Sequence, residues 1–473
     1  MSQPVDPRAP AHQRRAWVRL DNASNIFLAA MSSVDTKVFR LSAEVDHEVD
    51  PDLLQQALDV VYDQYLLYHS VLRRGIFWYY LEQSDLRPSV SAEVLPPCDY
   101  IYHYDRRNLL FRVVHHGPRI VLEVLHALSD GTGASWVLQD LVTEYLRLRH
   151  PDDADRCSVT TGVKHDLSPD SFGVFHPRQP ALFAEAAQPA ALEASDQIDA
   201  EPTTDEQPAG RRAGLSRDLF GDRQRRVHRI RGRLTPDHRT RVIEVQMPVG
   251  QVLPLAREAG VSLTIWLTAL FLHVIRQVDG PACRGRTMAV SVPVDLRQRF
   301  ESGSARNFFA TTRLEFNEDE ADFTAMCVAL AEQLAAQTTP AALEAKLRKL
   351  IGFEHHPLAR VLPRPVKDLV LGAVNRLNNR NLTVAMTNIG RVVFPADVDG
   401  HVRAVHLAVS AARPQFSMAS HGDVLTLNFT SPFVETDHQA AFVRELTARG
   451  VDVSLAVGKV TEDELDPAPA GGG

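Results

Sequence analysis

Along most of the chain the apolar positions fall into two rhythms, and their alternation predicts a layered α/β protein. Val38 to Val45 reads as a strand. Asp50-Pro51 then supplies an N-cap with proline at the first helical position, opening a helix that carries Leu53, Leu54, Ala57, Leu58, Val61 and Tyr65. Short strands are expected at Val71 to Leu81 and at Leu109 to Val114, and the β-branched run Arg119 to Leu125 reads as a buried strand. From Gly133 the spacing turns helical. Trp136, Val137, Leu138, Leu141, Val142 and Tyr145 share one face before Arg147 and Arg149 close the last turn.

Between Asp166 and about Thr235 this periodicity collapses into proline, alanine and acidic residues, then into an arginine-rich run from Arg211 to Arg233. Such composition predicts a linker or crossing loop with a disordered acidic half. The basic run is read as a solvated counterweight to its acidic neighbour; the other reading is a patch that attracts phosphates or an acidic carrier protein. Order then returns, with a strand at Arg241 to Val249, helices at Gly250 to Glu258 and Leu263 to Gln277, and a strand at Met288 to Val294. Helices at Asp322 to Gln337 and Ala341 to Ile351 follow. Strands at Leu382 to Met386, Ala404 to Val409 and Val424 to Phe429 precede a last helix at Ala440 to Arg449. The expected organisation is an N-terminal subdomain at 16–165, a linker at 166–237, a C-terminal subdomain at 238–462 and a frayed tail at 463–473.

The segment that asks for chemistry is Val124-Leu125-His126-Ala127-Leu128-Ser129-Asp130-Gly131. His126 stands where a strand gives out and a helix is about to begin. An imidazole placed there can project into a cleft and exchange a proton near neutral pH. Asp130 is read as fixing the turn and Gly131 as relieving its backbone strain.

This octet resembles the His-x-x-x-Asp-Gly signature of the chloramphenicol acetyltransferase-like superfamily of coenzyme A-dependent acyltransferases. Within it the chain is most similar to bacterial alcohol acetyltransferases and condensation-domain-like proteins. The resemblance implies two subdomains, each a mixed sheet with helices, forming a V around an interdomain channel. It also implies that His126 is the general base that deprotonates an acceptor hydroxyl or amine attacking an acyl thioester. By the same resemblance Asp130 is structural and pairs with an arginine. The stretch Ser291-Val-Pro-Val-Asp-Leu-Arg297, followed by Arg306-Asn307-Phe308-Phe309, is similar to a second family segment and offers Arg297 as that partner. Thr383-Val-Ala-Met-Thr387-Asn388-Ile-Gly390 resembles a strand that ends at the cleft, so Thr387, Asn388 and Asn307 become candidate oxyanion or substrate contacts. Condensation domains usually carry a second histidine before the base, where this chain has Leu125, and the Asp-Phe-Gly-Trp-Gly loop of plant relatives is absent. The first departure favours a free-standing acyltransferase over a peptide-bond-forming domain; the second argues against membership of the plant branch.

Composition narrows the picture further. With 44% hydrophobic and 23% charged residues the chain has the make-up of a soluble globular protein, and a net charge of −8 argues against nucleic acid as a partner. The longest apolar stretch, Val261 to Ile275, holds polar positions and falls short of the ~20 residues a membrane span needs. No apolar run follows Arg8, Arg14 and Arg15, so no secretion signal is expected. Cys98, Cys157, Cys283 and Cys327 lack CxxC spacing, and the doublets His115-His116 and His355-His356 lack acidic companions at helical spacing. The expectation is a cytoplasmic acyltransferase with no metal and no bound cofactor. It would use acyl-coenzyme A as co-substrate, or an acyl carrier protein as the alternative donor, with a small alcohol or amine as acceptor. Trp136, Phe308 and Phe309 are candidates for the channel lining, although aromatic residues beside apolar runs are more often core.

Overall fold

A computed structural model describes residues 17–151, 226–300, 302–317, 322–355 and 363–458. Most of the expected linker, 166–225, and the expected tail, 463–473, lie outside the described residues. Two large sheets organise the rest.

The first sheet has five strands in the order β12-β2-β7-β6-β5. They are β2 (Val38–Val45), β5 (Val90–Ala92), β6 (Phe111–His116), β7 (Arg119–Leu125) and β12 (Val402–Val409). Its central strands are apolar on both faces: six of the seven residues of β7 are buried, the pattern expected when helices or a second layer cover each side. Helices α2 (Pro51–Gln64) and α3 (Gly131–Arg149) cover one of those faces and share its core through Leu54, Ala57, Leu58, Leu138, Leu141 and Val142. Asp50 caps α2, its carboxylate accepting from Asp52 N at 2.9 Å and Leu53 N at 3.2 Å.

The expected strand over Val71 to Leu81 is instead a hairpin, β3 (Ser70–Arg74) and β4 (Tyr79–Gln83), joined by β1 (Trp17–Arg19) in a three-stranded sheet. Gly75 makes the turn. Its N–H donates to Trp78 O at 2.8 Å, and a Cβ there would stand 2.6 Å from the same oxygen.

The second large sheet has seven strands in the order β10-β9-β11-β13-β14-β8-β15. These are β8 (Arg241–Pro248), β9 (Met288–Asp295), β10 (Phe309–Phe316), β11 (Val384–Arg391), β13 (Gln415–His421), β14 (Val424–Ser431) and β15 (Ser454–Val457). Its core is built on α5 (Leu263–Asp279), of whose 17 residues ten are buried. Around α5 pack α4 (Val249–Glu258), α6 (Phe323–Gln337) and α9 (Asp437–Ala448). Phe271 of α5 sits among Phe416, Phe429 and Phe442 at ring separations of 4.9 to 5.8 Å. The apolar stretch at 261–275 is therefore core, and no single helix among the described residues is long and apolar enough to cross a membrane.

The two halves are not separated along the chain in the way the expected division at 166–237 suggests. Strand β12 comes from the C-terminal half, yet it completes the first sheet, pairing antiparallel to β2 from Val409↔Phe39 to Val402↔Val45. On its other side it meets the second sheet through side chains, with Asn428 Nδ2 donating to Leu407 O at 2.8 Å and Thr426 Oγ1 to Val405 O at 2.6 Å. One strand thus binds both layers. Helix α8 (Arg364–Arg380) likewise leaves its own half to pack on α1 (Asn22–Ala30).

Candidate active site

The His126 loop is held by its own capping chemistry and by a segment from the other half. His126 N donates to Lys37 O at 2.8 Å, which ends β7, and Asp130 caps α3 by accepting from Gly133 N at 2.9 Å. The second oxygen of Asp130 accepts from Arg297 Nη1 and from Phe308 N, each at 2.8 Å. Arg297 spends its remaining donors on Asp295, on the carbonyl of Ser304 and on that of Arg306 at 2.5 Å. The Asp130 and Arg297 side chains are 6% and 7% exposed. A buried pair is stable only when such extra hydrogen bonds satisfy both ions, and here they do.

Glycine enters the loop for space. Gly131 is not in the left-handed region, so the expected relief of backbone strain does not apply; a Cβ there would stand 3.1 Å from Ile389 Cγ2. Gly133, which the sequence reading used only to mark the start of a helix, has the stronger constraint. A Cβ on Gly133 would lie 2.2 Å from Ala305 O and 2.6 Å from Ser129 Oγ. Ser129 Oγ itself donates to Ala305 O at 2.5 Å, so the 304–308 segment rides directly on the start of α3.

The tautomer of His126 follows from a chain of hydrogen bonds. Asn307 Nδ2 donates to His126 O at 2.7 Å and to Ser24 Oγ at 3.0 Å. Ser24 Oγ donates in turn to Asp21 Oδ2 at 2.8 Å. Because a backbone carbonyl can only accept, the amide nitrogen of Asn307 must face it, which leaves Oδ1 to face His126 Nδ1 at 3.2 Å. The proton therefore resides on Nδ1, and Nε2 carries the lone pair. Both ends of the Asn307 amide are committed to this orienting role, so Asn307 is not the oxyanion or substrate contact that the resemblance suggests. Arg306, 3% exposed, anchors the far end by donating to Asp21 at 3.3 Å and to Arg19 O at 3.0 Å.

Aromatic rings surround the imidazole. Phe27 of α1 stacks on His126 with centroids 4.0 Å apart, Phe39 meets it edge-on at 5.1 Å, and Phe309 lies at 5.8 Å. Burial among these rings pushes the His126 pKa below the ordinary imidazole value, against the upward pull of Asp130. The ring is neutral at pH 7. Of the three expected lining aromatics, Phe309 faces His126, Phe308 is core with Leu296 and Leu343, and Trp136 lies under the Arg297 guanidinium at 5.5 Å.

Thr387 and Asn388 behave differently. Asn388 is exposed, donates to Thr264 Oγ1 at 2.9 Å and accepts from Gly390 N at 2.7 Å. Thr387 is partly buried beside Ser417 in the sheet. It is Ile389, between them and Gly390, that reaches the start of α3.

The sequence reading missed α1 and with it Asp21, Ser24 and Phe27. The signal was present, since Asp21 caps α1 with Ser24 N at 2.7 Å and an Ile-Phe-Leu run follows. It also excluded metal on sequence spacing. Folding nonetheless assembles two groups of metal-type side chains from distant residues, Asp46–His150–His401 and His228–Asp279–Cys283.

No protein-family model matches the sequence, and no curated protein matches it by sequence. Solved structures match by shape. Polyketide synthase associated protein 5 from Mycobacterium tuberculosis is 14% identical, with 91% of this chain and 96% of that chain covered at a TM-score of 0.52. Trichothecene 15-O-acetyltransferase from Fusarium sporotrichioides is 8% identical, with 92% and 95% covered at 0.57. The starter condensation domain of rhizomide synthetase, solved as a mutant in complex with C8-CoA, is 12% identical, with 92% and 94% covered at 0.57. The chain has the two-subdomain chloramphenicol acetyltransferase-like fold that these proteins share.

Proposed function

We propose that the protein transfers an acyl group from an acyl thioester, acyl-coenzyme A in the first instance, to the hydroxyl or amine of a small acceptor. The observation that carries this reading is the His126 imidazole, buried among aromatic rings and with its lone pair placed on Nε2 by Asn307 from the other half of the fold. Nε2 accepts the acceptor proton as the oxygen or nitrogen attacks the thioester carbonyl. The tetrahedral adduct collapses with cleavage of the C–S bond, and the imidazolium returns its proton to the departing thiolate, giving ester or amide and free thiol. Asp130, Gly131 and Arg297 hold the loop and stay outside the reaction. The channel between the two halves would admit thioester and acceptor, in a cytoplasmic setting where acyl thioesters are made.

Neighbours of the same fold support acyl transfer as the class: the trichothecene 15-O-acetyltransferase, a second Fusarium sporotrichioides acetyltransferase solved with coenzyme A and T-2, and a starter condensation domain solved with C8-CoA. The condensation domains among them support a second reading, in which a carrier protein delivers the thioester. A degenerate homologue that binds without turnover is the third; retention of the complete orienting chain behind His126 argues against it.

The test is free-thiol release from acetyl- and longer acyl-coenzyme A with a panel of alcohols and amines. Acceptor-dependent release is expected, falling by about 10²- to 10⁴-fold in His126→Ala. A wild-type rate in that variant refutes the mechanism. Release only from pantetheine-bound donors moves the assignment to carrier-protein chemistry.

A further inference from the structure

Helix α8 is oriented the wrong way round for a helix that packs on a protein. A surface helix ordinarily buries its apolar stripe and exposes its polar face. None of the residues of α8 is buried. Val366, Leu369, Val370, Val374 and Leu377 recur at helical spacing along one side, and all are exposed among the described residues, Leu369 to 74% and Leu377 to 57%. The opposite side, which faces the first half of the molecule, is polar or small. Tyr79 Oη donates to Asp368 Oδ2 at 2.9 Å, Arg413 donates to Asn379, and Gly372 lets α8 close on α1, where a Cβ would stand 3.1 Å from Ala29 O.

The apolar face does not stop at the helix. The turn between β3 and β4 lies against the N-terminal end of α8, with Arg364 N donating to Ile76 O and Lys367 Nζ to Phe77 O, each at 3.0 Å. Ile76 is 76% exposed and Phe77 44%, so two separate elements present large apolar side chains next to each other. Cations border them. By helical position Arg376 and Arg380 lie along one edge of the stripe and Arg364 and Lys367 along the other, while the one carboxylate of α8, Asp368, turns inward to Tyr79. The chain as a whole carries a net charge of −8, so this border is a local concentration of positive charge and not part of a generally basic surface.

We propose that α8 and the β3–β4 turn form a docking face for an anionic lipid surface, into which the apolar side chains insert while the bordering cations meet the headgroups. An interfacial helix is held by buried apolar area together with attraction between Lys or Arg and anionic lipid, and this face offers both. A second copy of the chain fits less well, because pairing this face with itself brings two cationic borders together. The helix lies on the membrane and does not span it. Because α8 packs on α1, whose Phe27 stacks on His126, docking sets the bilayer beside one wall of the candidate active site. The proposal concerns binding alone and is independent of the acyl transfer.

The experiment sediments the full chain with vesicles of phosphatidylcholine alone and of phosphatidylcholine and phosphatidylserine in equal parts. Binding to the anionic vesicles is expected, weaker on the neutral ones and falling as salt rises. Leu369→Asp combined with Leu377→Asp should lower that binding by at least about tenfold and leave the unfolding temperature unchanged, since both side chains are exposed. Arg376→Glu combined with Arg380→Glu should remove the preference for anionic vesicles. Leu455→Asp, on the exposed edge strand β15, should leave binding as it is. Absence of binding by the folded wild type overturns the proposal, as does binding that is equal on the two kinds of vesicle or that survives the paired leucine changes. Self-association in solution that those leucine changes abolish, without vesicle binding, overturns it in favour of a second copy.

Discussion

The segment from Asp295 to Phe308 and the end of β11 from Thr387 to Gly390 are both strand ends that carry polar residues toward the start of α3, yet they are built in opposite ways. In the first, Arg297 divides its donors between Asp130 of the other half and acceptors of its own segment, both ends of the Asn307 amide go to the His126 loop and Ser24, and these side chains are buried. In the second, the Asn388 side chain is exposed and bonds to Thr264 and to the backbone two residues on. A polar group earns a fixed orientation when burial makes any other arrangement costly. The exposed turn has no such constraint, since water can replace each of its bonds.

This contrast predicts a steep gradient of mutational effects. Arg297→Met should cost about 3–5 kcal/mol, because it leaves the Asp130 carboxylate buried without its cation; denaturant unfolding measures it, and a cost below about 1 kcal/mol would mean that the pair is not the anchor of the loop. Gly133→Ala comes next, at about 1–3 kcal/mol, since its Cβ must displace the Ala305 carbonyl. Asn307→Ala should leave most of the stability but reduce thiol release by about tenfold, the worth of one orienting hydrogen bond. Asn388→Ala should change stability by no more than about 0.5 kcal/mol, as expected for an exposed side chain. An equal effect at Asn388 and Asn307 would erase the distinction between the two regions.

Proton linkage gives a second handle on Asn307. Burial depresses the His126 pKa, so the base form persists below the usual value of about 6.5 and the acid limb of the rate profile should lie there. Asn307 opposes that depression by accepting from the ring, so its removal should move the limb to still lower pH, a shift that loss of packing alone would not produce. The unfolded chain takes up this proton at about pH 6.5 and the native chain only below it. The stability contributed by neutral His126 is therefore present above that pH and is lost as pH falls.

Much of the architecture was legible. The bounds of β2 and β7, the Asp50 cap and proline start of α2, and the buried character of α5 rest on spacing and capping within a few residues. The geometry also joins Arg297 to Asp130, the pairing that the motif resemblance implied. What was misread was of another kind. Gly131 carries no left-handed backbone, the strand over Val71 to Leu81 folds back at Gly75, and β12 leaves its own half to complete the first sheet.

Local sequence thus suffices for elements whose stabilising contacts lie within one turn of helix or a few residues of strand. Capping oxygens, apolar faces and turn glycines act at that range. It does not reach the orientation of His126, which depends on an amide 181 residues away, or the burial of Asp130, whose partner is 167 residues away. Nor does it reach the approach of His228 to Asp279, or the strand that binds both sheets. Those follow from chain packing, because the free energy that fixes a buried polar group comes from the neighbours that exclude water from it, and these neighbours are chosen by the fold.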